Sequence, residues 1–125
     1  MNLPGIAGLY AGMRVALAHM RESHERTIAL CDFMREELLN MPGVRVYTPA
    51  GAPILSLNVE GIGSQELAGV LDADGIAVRG GLHCAPGVHR FLGTLDTGAV
   101  RVSPGLYSTR ADVSGLLKCI RGMTK

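Results

Sequence analysis

One short segment concentrates the reactive side chains of this 125-residue chain. It runs from Arg79 to Arg90 and places the thiol of Cys84 beside two imidazoles, those of His83 and His89. Positive neighbours stabilise a thiolate, which is the nucleophilic form of cysteine. Two glycines after Arg79 would let the backbone flex or approach a ligand. The segment therefore predicts a loop with a reactive cysteine; the alternative for Cys84 is a small buried hydrophobe.

A metal site is another interpretation of the same side chains. The spacing of His83, Cys84 and His89 matches no standard tetrahedral ligand set, and no fourth ligand is evident. We therefore predict no metal. The other two cysteines, Cys31 and Cys119, follow apolar helical periodicity, which favours core packing for both.

Arg101 is the second residue whose type and position suggest a chemical role. It stands inside the apolar run Ala99-Val100-Arg101-Val102-Ser103, where a guanidinium needs an anionic partner. The sequence leaves two partners open. One is a structural salt bridge with one of the 11 acidic residues, and the other is a bound anion.

The elements that must position these residues can be read from hydrophobic periodicity and turn signals. A long amphipathic helix is predicted from Met13 to Asn40, preceded by a glycine-rich apolar stretch that needs close packing to hold as a helix. Ser64 is predicted to cap a second helix, and Thr109 with Asp112 forms a capping box for a third. The predicted strands are Val44–Tyr47, Ile54–Val59, Ile76–Arg79 and Gly98–Ser103. This order predicts an α+β fold, a small sandwich of a mainly antiparallel sheet with helices on one face.

Composition limits the remaining possibilities. The length favours one domain spanning residues 1–125, and a net charge of +1 gives no electrostatic footprint for nucleic acid. The chain has no run of about 18 apolar residues and no signal-peptide pattern, so neither a membrane span nor export is expected. Three cysteines cannot pair completely, which favours a reducing, cytoplasmic compartment.

Several motifs together resemble a known family. They are Asn2-Leu3-Pro4-Gly5-Ile6-Ala7-Gly8-Leu9, Val59-Glu60-Gly61, Ile76-Ala77-Val78-Arg79-Gly80-Gly81-Leu82-His83-Cys84-Ala85-Pro86, Leu92-Gly93-Thr94, Thr97-Gly98-Ala99-Val100-Arg101-Val102-Ser103-Pro104-Gly105 and Tyr107-Ser108-Thr109. In this order and spacing they resemble the C-terminal third of cysteine desulfurases and selenocysteine lyases. Those enzymes are class V aminotransferases of the pyridoxal-phosphate (PLP) fold type I.

The resemblance implies a specific division of labour. Cys84 would be the nucleophile that takes sulfur from the substrate, leaving a persulfide on Cys84 and releasing alanine. Arg101 would bind the substrate carboxylate. Arg79 and His83 would line the same active-site entrance, where His83 would assist proton transfer or stabilise the thiolate. The substrate would be L-cysteine or a similar amino acid, and the choice between cysteine and selenocysteine stays open.

The resemblance also implies what this chain lacks. In the family a large domain carries the lysine that binds PLP, whereas the lysines here are Lys118 and Lys125, outside the family's lysine motif. The chain therefore resembles the small C-terminal domain alone, expected to be inactive and free of PLP by itself. Expected partners are the absent large domain, a sulfur-acceptor protein and a second copy of the chain.

A different class of function is also consistent with the motifs. The chain would then be a non-enzymatic persulfide carrier, or an interaction module, that accepts sulfur on Cys84 from another protein. Arg101 separates the two interpretations, because a carrier has no use for a carboxylate-binding arginine.

Overall fold

The structure, a computed structural model, describes residues 1–124. Within them it contains four helices and three strands. Their bounds are α1 (Leu3–Leu39), β1 (Val44–Val46), β2 (Leu55–Val59), α2 (Ser64–Ala73), α3 (Pro86–Leu92), β3 (Val100–Val102) and α4 (Arg110–Met123).

The three strands form one antiparallel sheet in the order β1-β2-β3. Leu57 faces Val46 on one side and Val100 on the other, and Leu55 faces Val102. Along β2 the buried residues alternate with half-buried ones, as the sequence pattern predicts. One face of the sheet is therefore apolar and the other is polar.

Three helices cover the apolar face. Their buried side chains join those of β2 and β3 in one hydrophobic core, which includes Met34 and Leu38 of α1, Leu67 and Leu71 of α2, and Val113, Leu116, Leu117 and Ile120 of α4. The predicted capping box at the start of α4 is present, with the Thr109 side chain accepting from Asp112 N–H. The predicted α+β class, with an antiparallel sheet and helices against it, is confirmed.

The predicted strand Ile76–Arg79 is wrong as a strand. Only Arg79 pairs with the sheet, through an isolated bridge to Arg101, while the N–H of Ile76 donates to the carbonyl of Leu71 at the end of α2. The backbone of residue 76 is therefore held by α2, and the pairing with β3 does not extend to residues 76–78.

Two helix boundaries also differ from the predictions. Helix α1 begins at Leu3 instead of Met13, because the side chain of Asn2 accepts a 3.0 Å hydrogen bond from the N–H of Gly5 and a proline occupies the first turn. The N-cap of α2 is Gly63, and the predicted cap Ser64 is the first helical residue. Local caps thus extend one helix and shift the other.

The first half of α1 lies outside the core. Its large apolar side chains are about half exposed or more, among them Leu3, Ile6, Leu9, Tyr10, Met13, Val15, Leu17 and Met20. Burial begins only at Thr27. Among the residues that the structure describes, no helix is both long and apolar enough to cross a membrane.

Candidate functional site

Cys84 lies on a tight turn with an unusual backbone. The N–H of Ala85 donates to the carbonyl of Leu82 at 2.9 Å, and both residues between them have positive φ, 52° for His83 and 58° for Cys84. Non-glycine residues in this left-handed region cost about 1–3 kcal/mol each and persist where the surrounding structure enforces them. The turn leaves Cys84 exposed to solvent.

The carbonyl of Arg79 ties this turn to the sheet. It accepts the backbone N–H of Arg101 at 2.7 Å, and the Nε2 atom of His83 lies 2.9 Å from it. Because a carbonyl only accepts, Nε2 of His83 carries the hydrogen, and Nδ1 is the basic nitrogen of the neutral ring. One backbone atom thus joins three of the four predicted site residues.

Close backbone packing requires a glycine on each side of the turn. A side chain at Gly80 would collide with the backbone carbonyl of Ser64. A side chain at Gly98, where φ is +63°, would lie 2.8 Å from the Cα of Gly81. The hydroxyl of Ser64, freed from capping, donates to the carbonyl of Thr97. These contacts hold the segments on both sides of the Cys84 turn together, so the expected approach of a ligand to Gly80 gives way to an approach of α2.

Helix α3, which begins within the segment predicted as a loop, follows the turn directly. His89 is only 4% exposed, and its Nδ1 forms a 2.8 Å hydrogen bond with the hydroxyl of Thr94. Its ring centroid lies 5.7 Å from that of His83. Within residues 1–124, no group of three or more His, Cys, Asp or Glu side chains has the arrangement of a metal site. Pro86 near the start and Gly93 just past the end were the signals for this helix.

Arg101 is half-buried on the polar face of the sheet, directly opposite Ser56. Among the described residues no carboxylate lies within 4.0 Å of its guanidinium, so the structural salt bridge is absent from this part of the chain. Its Nε atom is buried and has no hydrogen-bond partner there. The described residues therefore do not supply the anionic partner that the sequence predicts for Arg101.

The other two thiols occupy different surroundings. Burial, and to a lesser extent the charge of Asp32, raises the pKa of Cys31 to about 11. Cys119 packs partly against the core and donates a 2.9 Å hydrogen bond to Asp74 Oδ2. Burial, this hydrogen bond and the Asp74 charge raise the pKa of Cys119 to about 11. At neutral pH both are protonated thiols, in line with their predicted structural role.

A large groove lies away from the predicted site. It measures about 840 Å³ and runs between α4 and the segment around Ile76 and Val78. Cys119 lines it, but none of the four predicted site residues does. Outside this groove, Arg79 pairs with Arg101 of β3, His83 contacts the Arg79 carbonyl, and Cys84 is exposed.

A family model supports the resemblance drawn from the motifs. The model described as aminotransferase class-V matches residues 1–116. Among curated proteins, a "probable cysteine desulfurase" of Halalkalibacterium halodurans is 38% identical over 78% of this chain and 23% of its own length. Another protein of that description, from Xylella fastidiosa, is 30% identical over 98% of this chain and 30% of its own length.

Solved structures agree in fold. An apo cysteine desulfurase from Thermococcus onnurineus NA1 superposes with a TM-score of 0.86 at 30% identity, covering 94% of this chain and 30% of that one. A NifS-like protein superposes with a TM-score of 0.80 at 28% identity, covering 98% of this chain and 34% of that one. The chain thus spans between about a quarter and a third of the length of these relatives.

Proposed function

The chain belongs to the class V aminotransferase family, and from that premise we propose that residues 1–125 are the C-terminal domain of a PLP-dependent cysteine desulfurase. In this proposal the reaction takes L-cysteine and the Cys84 thiol to alanine and a persulfide on Cys84. The observation that carries it is the exposed Cys84 on a strained turn, hydrogen-bonded through the carbonyl of Arg79 to the strand that bears Arg101.

The cofactor of the family does not fit the residues of this chain. A structural neighbour carries glycine covalently linked to its PLP cofactor. Here Lys118 is exposed on α4, on the groove that contains none of the site residues, and Lys125 lies outside the described residues. Because no lysine of residues 1–124 lies at the site, PLP would be bound by the part of the relatives' length that residues 1–125 do not span. The isolated chain should be inactive, and after dialysis it should retain no visible PLP absorbance.

Arg101 is suited to a substrate carboxylate. Its guanidinium presents a planar fork of donors that matches a carboxylate in two parallel hydrogen bonds. No carboxylate of residues 1–124 competes for it. Arg79 faces Arg101 across the bridge and is exposed, so it adds positive charge to the same surface.

His83 is suited to moving the proton of the thiol. It adjoins Cys84 in the turn, and its hydrogen bond to Arg79 fixes Nδ1 as the nitrogen that can accept a proton. We propose that this nitrogen takes the Cys84 proton as sulfur transfer begins. Removing the thiol proton produces the nucleophile that this step needs.

The apolar first half of α1 is proposed to pack against the large domain of the full-length enzyme. A helix that is apolar all round is normally buried, and between Leu3 and Leu17 the only charged residue is Arg14. Without that domain the same surface should drive self-association of the chain. Sedimentation should then show oligomers that dissociate on Leu9→Lys substitution, and a strict monomer at high concentration would contradict the docking role.

The deciding experiment uses a polypeptide that joins this chain to a lysine-bearing domain. Cys84→Ser should abolish alanine release from L-cysteine, because no thiol remains to accept the sulfur. Cys119→Ser is the matched control and should retain release, since Cys119 is a protonated thiol on another surface. A persulfide that forms on Cys84 from an added persulfide donor, without alanine release by the joined polypeptide, would favour the carrier instead.

A further inference from the structure

Asn58 has an unusual set of hydrogen bonds for a half-buried strand residue. Its Nδ2 donates to the carbonyl of Gly98 at 2.9 Å and lies 3.3 Å from the hydroxyl of Tyr47. Both amide hydrogens are therefore engaged. The Oδ1 atom is buried and has no partner among residues 1–124.

A complementary atom lies on the same face of the sheet. The Nε–H of Arg101 is a buried donor without an acceptor in the described residues. Arg101 faces Ser56, and Leu57 faces Val100, so Asn58 and Arg101 are diagonal neighbours on β2 and β3. Diagonal positions are about 7–8 Å apart at Cα, which long side chains can span.

A buried acceptor without a donor and a buried donor without an acceptor are each unfavourable, and pairing them removes both costs. We propose that Asn58 is a positioning residue for Arg101, with one water bridging Asn58 Oδ1 and Arg101 Nε–H, since the two atoms do not bond directly in the structure. The two terminal nitrogens of the guanidinium then remain free to bind a carboxylate side by side. A neutral amide suits this task, because it orients the guanidinium without neutralising it.

The first test needs no catalytic activity. In the ¹⁵N-labelled chain, Arg101 Nε–H should exchange with water about 10-fold faster in Asn58→Ala than in the wild type, since a charge-assisted hydrogen bond is lost. Asn58→Asp should shift the Arg101 Nε resonance because a carboxylate now faces it. Tyr47→Phe is the matched control: it removes a contact of Asn58 Nδ2, leaves Oδ1 in place, and should leave the Arg101 signal unchanged. An Arg101 Nε–H signal that is the same in Asn58→Ala and the wild type overturns the proposal.

The second test rests on the proposed function and uses the polypeptide joined to a lysine-bearing domain. Asn58→Ala should raise KM for L-cysteine about 10-fold with kcat little changed. Asn58→Asp should raise KM further, because the new carboxylate competes with that of the substrate. A merely structural role would lower stability and kcat without this order of KM values.

The two tests separate the possible failures. If the Arg101 signal responds to Asn58→Ala but neither Asn58 nor Arg101 variants change KM, then Asn58 positions Arg101 and the carboxylate role in the proposed function is wrong. If Arg101→Ala raises KM but the Arg101 Nε–H signal is unchanged in Asn58→Ala, then the proposed carboxylate role of Arg101 is supported and the positioning role of Asn58 is wrong.

Discussion

The two faces of the sheet differ in how their side chains are buried and paired. On one face Leu55, Leu57 and Val102 are covered by three helices. On the other, Ser56 and Arg101 remain half-buried, with a buried Nε–H that the described chain does not pair.

The difference lies in what completes each face. The apolar face is completed within the chain, because dispersion and the hydrophobic effect need only packed side chains. The polar face needs hydrogen-bond and charge partners, and the described residues do not supply all of them. Stability should therefore respond to one face and function to the other.

The largest effect should come from the apolar face. Leu57 is fully buried between β1 and β3, so Leu57→Ala should lower the free energy of unfolding by about 2–5 kcal/mol through lost burial and a cavity. Urea denaturation measures this. Ser56→Ala, the next residue on the opposite face, is the control and should change stability by less than about 1 kcal/mol. Equal losses for the two variants would break the contrast between the faces.

A comparable effect on activity should come from the polar face. In the polypeptide joined to a lysine-bearing domain, Arg101→Ala should lower kcat/KM by about 30- to 1000-fold, since a charge-assisted contact with the substrate is lost. Arg45→Ala is the control, because Arg45 stacks on Tyr47 at the far strand and should leave kcat/KM nearly unchanged. An Arg101 variant as active as the Arg45 variant would contradict the role of the polar face in substrate binding.

The three thiols should differ in reactivity according to whether they pack against the apolar core or lie exposed. At pH 8 a thiol with a pKa of about 11 is only ~0.1% ionised, so Cys31 and Cys119 should alkylate more slowly than the exposed Cys84. Site-resolved mass spectrometry of the folded chain measures the three rates. If Cys31 or Cys119 reacts first, the assignment of Cys84 as nucleophile loses its physical support.

A charge change beside Cys119 sharpens this result. Asp74→Asn removes a carboxylate that raises the pKa of Cys119, so its pKa should fall and its alkylation at pH 8 should accelerate by about three- to tenfold. The gain is limited because burial is the larger cause of the raised pKa. Asp72→Asn, on the same helix, should leave the rate unchanged. No acceleration in Asp74→Asn would mean that burial alone sets the reactivity of Cys119.

The smallest effect concerns the strained turn. Glycine adopts positive φ without steric cost, so Cys84→Gly should raise the free energy of unfolding by about 1 kcal/mol. Cys119→Gly is the contrasting variant and should lower stability, because it places glycine inside α4. A loss of stability in Cys84→Gly would show that the turn is not strained in solution.

Local patterns accounted for most of the elements. The alternation along β2 and the Thr109–Asp112 capping box depend on residues two to four positions apart, and both were predicted. The start of α1 and the short α3 were missed although their signals, Asn2 and Pro86, are equally local. For α1 the error came from the weight given to glycine, which lowers helix propensity but does not prevent a capped helix.

The sequence by itself determined the family and the α+β class, and it supplied the residues proposed for the site, because motifs and periodicity are properties of neighbouring positions. Only the tertiary structure decided how those residues are connected. The Ser64 hydroxyl reaches Thr97, and Asn58 reaches Gly98 and lies diagonal to Arg101, across 33 to 43 residues of chain. Such pairings depend on how the helices and loops pack on the sheet, and residue spacing along the chain does not encode them.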